Sequence, residues 1–442
     1  MRYVALWILT LLAAGSLPAQ EAETVTLSEA VKLAQSRHPD VARAIAGSEA
    51  LKGKVREVRA QALPEIAING GGLRMRDPSF LNSSSLDKFP KELIDALDPV
   101  GSNIFMYNLT VKQPLYTAGK VGTAMRLASI EAEGSLAEID RAEQDLALAV
   151  VKAYYGLLWA ERARDNVAET QDQRKLHAAM ARTRYENGVA TQVDVLRSEV
   201  AVANGQPDLV RADNAIRQAR ALLNYYLVRP MDFPTKAAGG FEEQAWDEWE
   251  METLAKEAYR ARPELSRLRI AERSAGAMLD LARAESRFRA DLSTEYGVMS
   301  RLPKNLINSQ FLRWSVGVNF TLPVFDGFRR NGMVYQATAN QRAASLERAK
   351  AEQQVTLSLQ QALDELKAAH ETVAAARSNI GQAEKVLEMT QANYKYGAAT
   401  TLDIVDAQTA LSMARTNLLR GLHDCSVARA NVRWVLGRTP WE

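Results

Sequence analysis

Over 314–322 apolar and polar side chains alternate without a break. Trp314, Val316, Val318, Phe320 and Leu322 fall on one side, and Ser315, Gly317, Asn319 and Thr321 on the other. Phe105, Tyr107, Leu109 and Val111 alternate with Met106, Asn108, Thr110 and Lys112 in the same way, and 66–72 and 292–298 are weaker versions. A period of two predicts strands, at about 64–74, 103–113, 290–299 and 312–322. Apolar and aromatic residues one way with small and polar ones the other suit a strand between lipid and water, and an ordinary half-buried sheet gives the same pattern. Four strands cannot close a barrel, and an open sheet in a membrane leaves unpaired backbone groups. If these strands span a bilayer, several chains must share one barrel.

Elsewhere the period changes. Residues 119–186 and 333–395 hold no Pro and are dense in Ala, Leu, Glu and Arg, which predicts long helices on the order of 100 Å at 1.5 Å per residue. Further on, Ile404, Leu411, Leu418, Cys425 and Val432 recur every seven residues, with Ala407, Ala414, Gly421, Ala428 and Val435 in a second register. Val195, Val202, Leu209, Ile216 and Leu223, with Ser198, Gly205, Ala212, Ala219 and Tyr226, keep the same two registers earlier in the chain. Such a seam, small on one side, implies close backbones and left-handed supercoiling. Asn204-Gly-Gln-Pro207 inside the earlier helix predicts a kink.

These elements occur twice. YENGVATQVDVL at 185–196 returns as YKYGAATTLDIV at 394–405, an offset of 209 residues that also relates Pro114 to Pro323 and Arg229 to Arg438. His38-Pro-Asp-Val matches Arg262-Pro-Glu-Leu at an offset of 224, so the first copy carries about 15 extra residues, within a polar stretch at 74–103. Each copy reads as helix, strand, loop, strand, long helix, turn, helix. The first repeat takes 20–229, with a long helix at 115–186 and a second at 191–228; 230–250 is a linker; the second repeat takes 251–442, with helices at 328–395 and 400–437. At each turn a Gly (Gly188, Gly397) supplies the left-handed residue that ends a helix, and a Thr (Thr191, Thr400) can cap the next.

Composition narrows the setting. A formal net charge of +2 gives no reason to expect nucleic acid, and the single Cys, Cys425, excludes an internal disulfide and reads as a small core hydrophobe. Arg2 and Tyr3 are followed by VALWILTLLAA, an 11-residue apolar run, then by small residues, which predicts a secretory signal peptide at 1–19, with cleavage after Ser16 as the rival. No Cys lies near either position, so an N-terminal lipid anchor is not expected. No run of about 18 apolar residues follows, so no transmembrane helix is expected. His38, His177, His370 and His423 show no metal-ligand spacing, and Gly119-Lys120 lacks the upstream Gly of a phosphate loop. Neither an enzyme nor a cofactor is expected.

With TLSEAVKLAQSRHPDV near the mature N-terminus, QPLYTAGK and LPVFDGFRR at the strand-to-helix junctions, and the paired turns, the sequence resembles the TolC-like outer-membrane efflux family over nearly its whole mature length. The resemblance implies a mainly α fold with a transmembrane β-barrel part. Internally duplicated long-helix hairpins form an α-helical tunnel, and four strands per chain contribute to a 12-stranded barrel in a homotrimer. It implies a passive duct in the outer membrane of a Gram-negative bacterium, with a large periplasmic part, recruited by a periplasmic adaptor and an energised inner-membrane pump of a tripartite efflux or type I secretion system. The 230–250 segment and the C-terminal RTPWE would form a belt around the tunnel's middle. The turns Gly188, Val189, Ala190, Thr191 and Gly397, Ala398, Ala399, Thr400 would be the tips where an adaptor docks and the duct closes.

By the same resemblance Asp403 and Asp406 ring the narrow entrance, and Asp194 and Tyr394 match members of the closing network. Ala399 stands where the best-studied gate has an Arg. The residues themselves allow other readings. Asp194 and Asp403 lie three residues after Thr191 and Thr400, a capping-box spacing. Asp406 has Arg197 as its repeat counterpart and could pair with it. A soluble periplasmic coiled-coil scaffold or adaptor would share the signal peptide and the heptads, but needs no aromatic alternation in four strands. Drug, metal ion, small molecule and polypeptide all remain possible cargo, because a water-filled duct need not contact it specifically.

Overall fold

A computed structural model describes residues 23–76, 90, 92, 101–241 and 250–441. The expected signal peptide, most of the polar stretch at 74–103 and part of the 230–250 segment lie outside these. Among the described residues the elements are, in chain order, β1 Glu23–Val25, α1 Leu27–Arg37, α2 Pro39–Ala60, β2 Glu65–Arg76, β3 Gly101–Tyr116, α3 Lys120–Glu186, α4 Gln192–Tyr226, β4 Thr235–Ala237, α5 Met251–Ala261, α6 Pro263–Ala284, β5 Arg289–Ser300, two short 3-10 turns (Pro303–Ile307 and Ser309–Phe311), β6 Leu312–Thr321, α7 Arg329–Lys395 and α8 Thr401–Val435. The repeat is kept to the residue in the hairpins, since 329 − 120, 395 − 186, 401 − 192 and 435 − 226 all equal 209.

Three details differ from the sequence expectations. The single leading helix expected in each copy is two helices, broken at His38 and Arg262. Both hold extended backbone (ψ 133° and 125°) because the following residues, Pro39 and Pro263, disfavour α geometry before them and open the next helix without needing an N–H partner. The first long helix begins at Lys120 rather than 115, because β3 runs on to Tyr116 and Gly119, at φ 84°, turns the chain between them. And α4 runs as one element through Pro207.

The chain forms two compact units. One comprises Ala46–Leu136 and Arg267–Ala349. It holds an antiparallel sheet in the order β2-β3-β5-β6. The register carries one row, Ile68, Leu109, Tyr296 and Trp314, across all four strands, and the next is Ile66, Val111, Thr294 and Val316. These side chains share one face, where Ile68 is 80% and Trp314 70% exposed. The opposite face is polar: Arg313 Nη2 donates to Glu295 Oε2 at 2.9 Å and Asn69 Nδ2 to Thr110 Oγ1 at 3.1 Å. Gly297 is required at its place, because a Cβ there would strike the Tyr107 carbonyl oxygen of β3. Against this unit's helices, Ile130, Ile270 and Ala277 form a small core, with Gly134 admitting Ile270.

The other unit comprises the described parts of Met1–Ile45, Ala137–Ser266 and Lys350–Glu442. Val31, Ala34, Val150, Val151, Leu157 and Leu223 build its main core. The parallel pair β1-β4 closes one side, with Tyr154 Oη donating to the Ala238 carbonyl at 2.5 Å. The heptad seam of α8 is buried at Ile404, Ala407, Leu411, Ala414, Gly421, Cys425, Ala428, Val432 and Val435, with Leu418 half-buried.

Candidate functional site

The two turns between long helices are built alike. Gly188 (φ 76°) and Gly397 (φ 78°) take left-handed backbone, and the next residue's N–H reaches back to a carbonyl five positions earlier: Val189 to Arg184 and Ala398 to Asn393, each at 2.9 Å. That closure satisfies carbonyls the helix end leaves open, and any side chain at either Gly would be strained. Thr191 and Thr400 then cap α4 and α8. Each Thr hydroxyl accepts from the backbone N–H of Asp194 or Asp403, and each Asp carboxylate accepts back from the Thr backbone N–H and hydroxyl. Asp403 is thereby held below the usual carboxylate range, first by the Thr400 backbone N–H and then by its hydroxyl. Asp194 is lowered too, first by the Thr191 hydroxyl, then by its N–H, the Thr401 hydroxyl and nearby Arg197.

Thr401 joins the repeats. Its side chain is fully buried, it donates to Asp194 and its Oγ1 lies 3.5 Å from Tyr394 Oη. Asp194 and Tyr394, widely separated in sequence, are thus linked through one hydroxyl. Arg184 holds Tyr394 from another side: Nη1 donates to the Tyr394 carbonyl at 3.1 Å, and the guanidinium lies 4.8 Å from the ring centroid. His177 meets the same ring edge-on, 2% exposed, with neither ring nitrogen hydrogen-bonded. Burial pushes its pKa down, and the Asp194 charge opposes this. Leu176, His177, Met180, Arg184, Tyr394 and Gln408 line a groove of about 590 Å³ here. Sequence reading missed Thr401, Arg184 and His177, because they meet only when helices distant in the chain pack together.

The remaining tip residues are not gathered in one chain. Asp403, Asp406 and Arg197 are all exposed, and no ion pair joins Arg197 to Asp406. Ala190 and Ala399 are half-buried, and Val189 is 63% exposed. Among the described residues no group of three His, Cys, Asp or Glu is placed to hold a metal ion, and no helix is long and apolar enough to cross a membrane. Cys425 is buried with its Sγ 3.5 Å from His370 Nε2.

A family model described as "Outer membrane efflux protein" matches residues 30–227 and 254–438, most of the chain. Among curated proteins, Protein CyaE of Bordetella pertussis is 25% identical over 325 residues, 73% of this chain and 65% of its own length, which is under two thirds. Outer membrane protein TolC of Escherichia coli is 22% identical over 429 residues, 93% of this chain and 82% of that protein. Among solved structures, the CmeC outer membrane channel of Campylobacter jejuni superposes with a TM-score of 0.79 at 16% identity, covering 93% of this chain and 85% of that one.

Proposed function

This chain belongs to the outer membrane efflux protein family and is an outer-membrane duct for efflux or secretion, and on that premise we propose that three copies close one 12-stranded barrel and continue it as a helical tunnel. The observation that carries this is the sheet. The row Ile68, Leu109, Tyr296 and Trp314 is apolar or aromatic across all four strands, while β2 and β6 each keep one unpaired edge within the chain. In hydrocarbon such edges are costly unless another chain pairs them. A soluble scaffold would have no use for that face, and the family match decides against it.

The helix-turn tips are the periplasmic end. A periplasmic adaptor docks on Gly188–Thr191 and Gly397–Thr400, and an inner-membrane pump supplies the energy the duct lacks. Asp403 and Asp406 line the entrance, and this reading is supported by the exposure of both and by Arg197 leaving Asp406 unpaired. The closing contacts are Asp194, Thr401 and Tyr394, so Ala399 takes no part. Family members are channels rather than enzymes.

Outer-membrane fractionation followed by planar-bilayer recording tests the proposal. Protein in the outer-membrane fraction that gives discrete conductance steps is the expected result. Protein recovered only from the soluble periplasmic fraction contradicts it.

A further inference from the structure

The two repeats differ where their strands meet the long helices. At the helix end of the sheet Tyr116 of β3, Phe288 just before β5 and Phe320 of β6 form an aromatic row, with the Phe288 ring centred 5.8 Å from each neighbour. Arg330 Nη1 donates to Ser286 Oγ at 3.2 Å, which fastens the first turn of α7 beside Arg287 and Phe288. Arg287, Arg329 and Arg330 are all exposed. The Arg329 and Arg330 side chains donate to Met333 Sδ, at 3.7 Å, and to Ser286, neither of them an acid, and Arg287 makes no ion pair among the described residues. The acids of these stretches are engaged elsewhere. Asp326 accepts the Arg330 backbone N–H at 3.0 Å, and Glu285 pairs with Lys120 at 2.6 Å.

The first copy lacks this cluster. At offsets of 224 and 209 the same places hold Leu63, Pro64, Gly119, Lys120 and Val121, where Lys120 is the single cation and is already paired. The backbone at the two junctions is alike, since Thr117 and Asp326 occupy matching positions and each side chain accepts the N–H four residues on. The side chains are what differ. At the second left-handed residue of the turn the first copy has Gly119, at φ 84°, whereas the second has Phe328, at φ 66° and 70% exposed. A bulky residue there is strained, and strain of that kind marks a position held for what its side chain does.

We propose that the junction of the second copy binds an anionic phospholipid of the periplasm-facing leaflet, with its phosphate among Arg287, Arg329 and Arg330 and its acyl chains along Tyr116, Phe288 and Phe320. The proposal rests on the barrel reading, which puts the helix end of the sheet at that leaflet's surface. The aromatic row alone would only mark the edge of the hydrocarbon. The arginines supply the choice of lipid, because a guanidinium meets phosphate through paired N–H donors and keeps its charge. With Asp326 and Glu285 engaged, the ammonium of a zwitterionic headgroup finds no partner here. Phe325 and Phe328, edge-on with centroids 5.8 Å apart, take the headgroup layer, where aromatic side chains are favoured.

The test is native mass spectrometry of the full-length protein in detergent, offered phosphatidylglycerol or phosphatidylcholine with the same acyl chains, while planar-bilayer conductance of the unsubstituted protein is recorded in parallel. Phosphatidylglycerol should be retained about tenfold better, which is what one charge-assisted hydrogen bond supplies. Arg287→Gln with Arg329→Gln and Arg330→Gln should erase that preference, and the same spectra show whether the variant assembles. Arg74→Gln with Arg301→Gln, at the other end of the sheet, should keep it. Phe328→Gly should retain less phosphatidylglycerol although it frees the backbone of strain. Glycerol 3-phosphate in excess should not displace the lipid, because it has no acyl chains. A conducting protein without the preference overturns the inference and leaves the barrel standing. So does a preference that survives the triple substitution, is lost equally in the control, is unchanged in Phe328→Gly, or yields to glycerol 3-phosphate. Protein that neither inserts nor conducts overturns both.

Discussion

His177 lies edge-on against Tyr394, with ring centroids 5.3 Å apart and both imidazole nitrogens without a hydrogen-bond partner. Burial holds its folded pKa below the ordinary 6.5, so the unfolded chain binds the extra proton first as pH falls. Stability is then full above that value and declines as pH drops through it toward the folded pKa, below which the loss levels off. The Asp194 charge opposes this lowering and favours the imidazolium. Melting temperature followed from about pH 8 to pH 5 should fall, and His177→Phe should flatten part of the slope. His370, whose pKa burial also lowers, contributes a slope of the same sign. An unchanged slope in His177→Phe would rule out this role.

The caps set the local stability of the tips. Thr191→Ala and Thr400→Ala each remove a hydroxyl that both accepts from and donates to its Asp partner, at a cost of about 1 kcal/mol. Amide exchange in the first turn of α4 or α8 should quicken about fivefold, and Ser in place of Thr should restore most of the protection. Exchange no faster in the Ala variants would mean the caps are not what fastens these turns.

The register assigns Val316 and Phe320 to the apolar face and Asn319 to the polar one. Val316→Arg and Phe320→Arg should each cost about 2–4 kcal/mol near the midplane and lower the yield of assembled protein in the outer membrane, while Asn319→Arg should assemble normally. Equal damage from all three would show that the faces are misassigned.

Asp406 is exposed and unpaired with Arg197. In the proposed trimer three copies of it, with three of Asp403, would crowd like charges at the entrance, where a multivalent cation would relieve the repulsion. Divalent or trivalent cations added from the periplasmic side should block the reconstituted channel. Asp403→Ala with Asp406→Ala should abolish the block without closing the pore, and Arg197→Ala should leave it as it is. A stronger block in Arg197→Ala would restore the ion-pair reading.

Much of this architecture is legible from local pattern. Strict alternation located β6 and β3, and the glycines with their Thr-x-x-Asp caps located the turns between the long helices, because both signals depend only on neighbours in sequence. The break at His38-Pro39 was written in the sequence too, but the helical pattern on either side masks it. The β1-β4 pair was not legible: three-residue strands carry no usable period and pair across about two hundred residues. The Arg184–His177–Tyr394 contact was hidden for a related reason. It is made by helices that meet only in the folded chain, and the repeat offset gives no hint of it, since Asn393 and Val386 replace its Arg and His in the second copy.

The central claim is that one chain supplies a third of a closed barrel, and detergent-corrected mass of the extracted protein tests it most directly. With four strands per chain and two unpaired edges, the proposed 12-stranded barrel predicts a trimer that keeps its full strand content. A stable monomer that keeps all its strands in detergent would contradict the account.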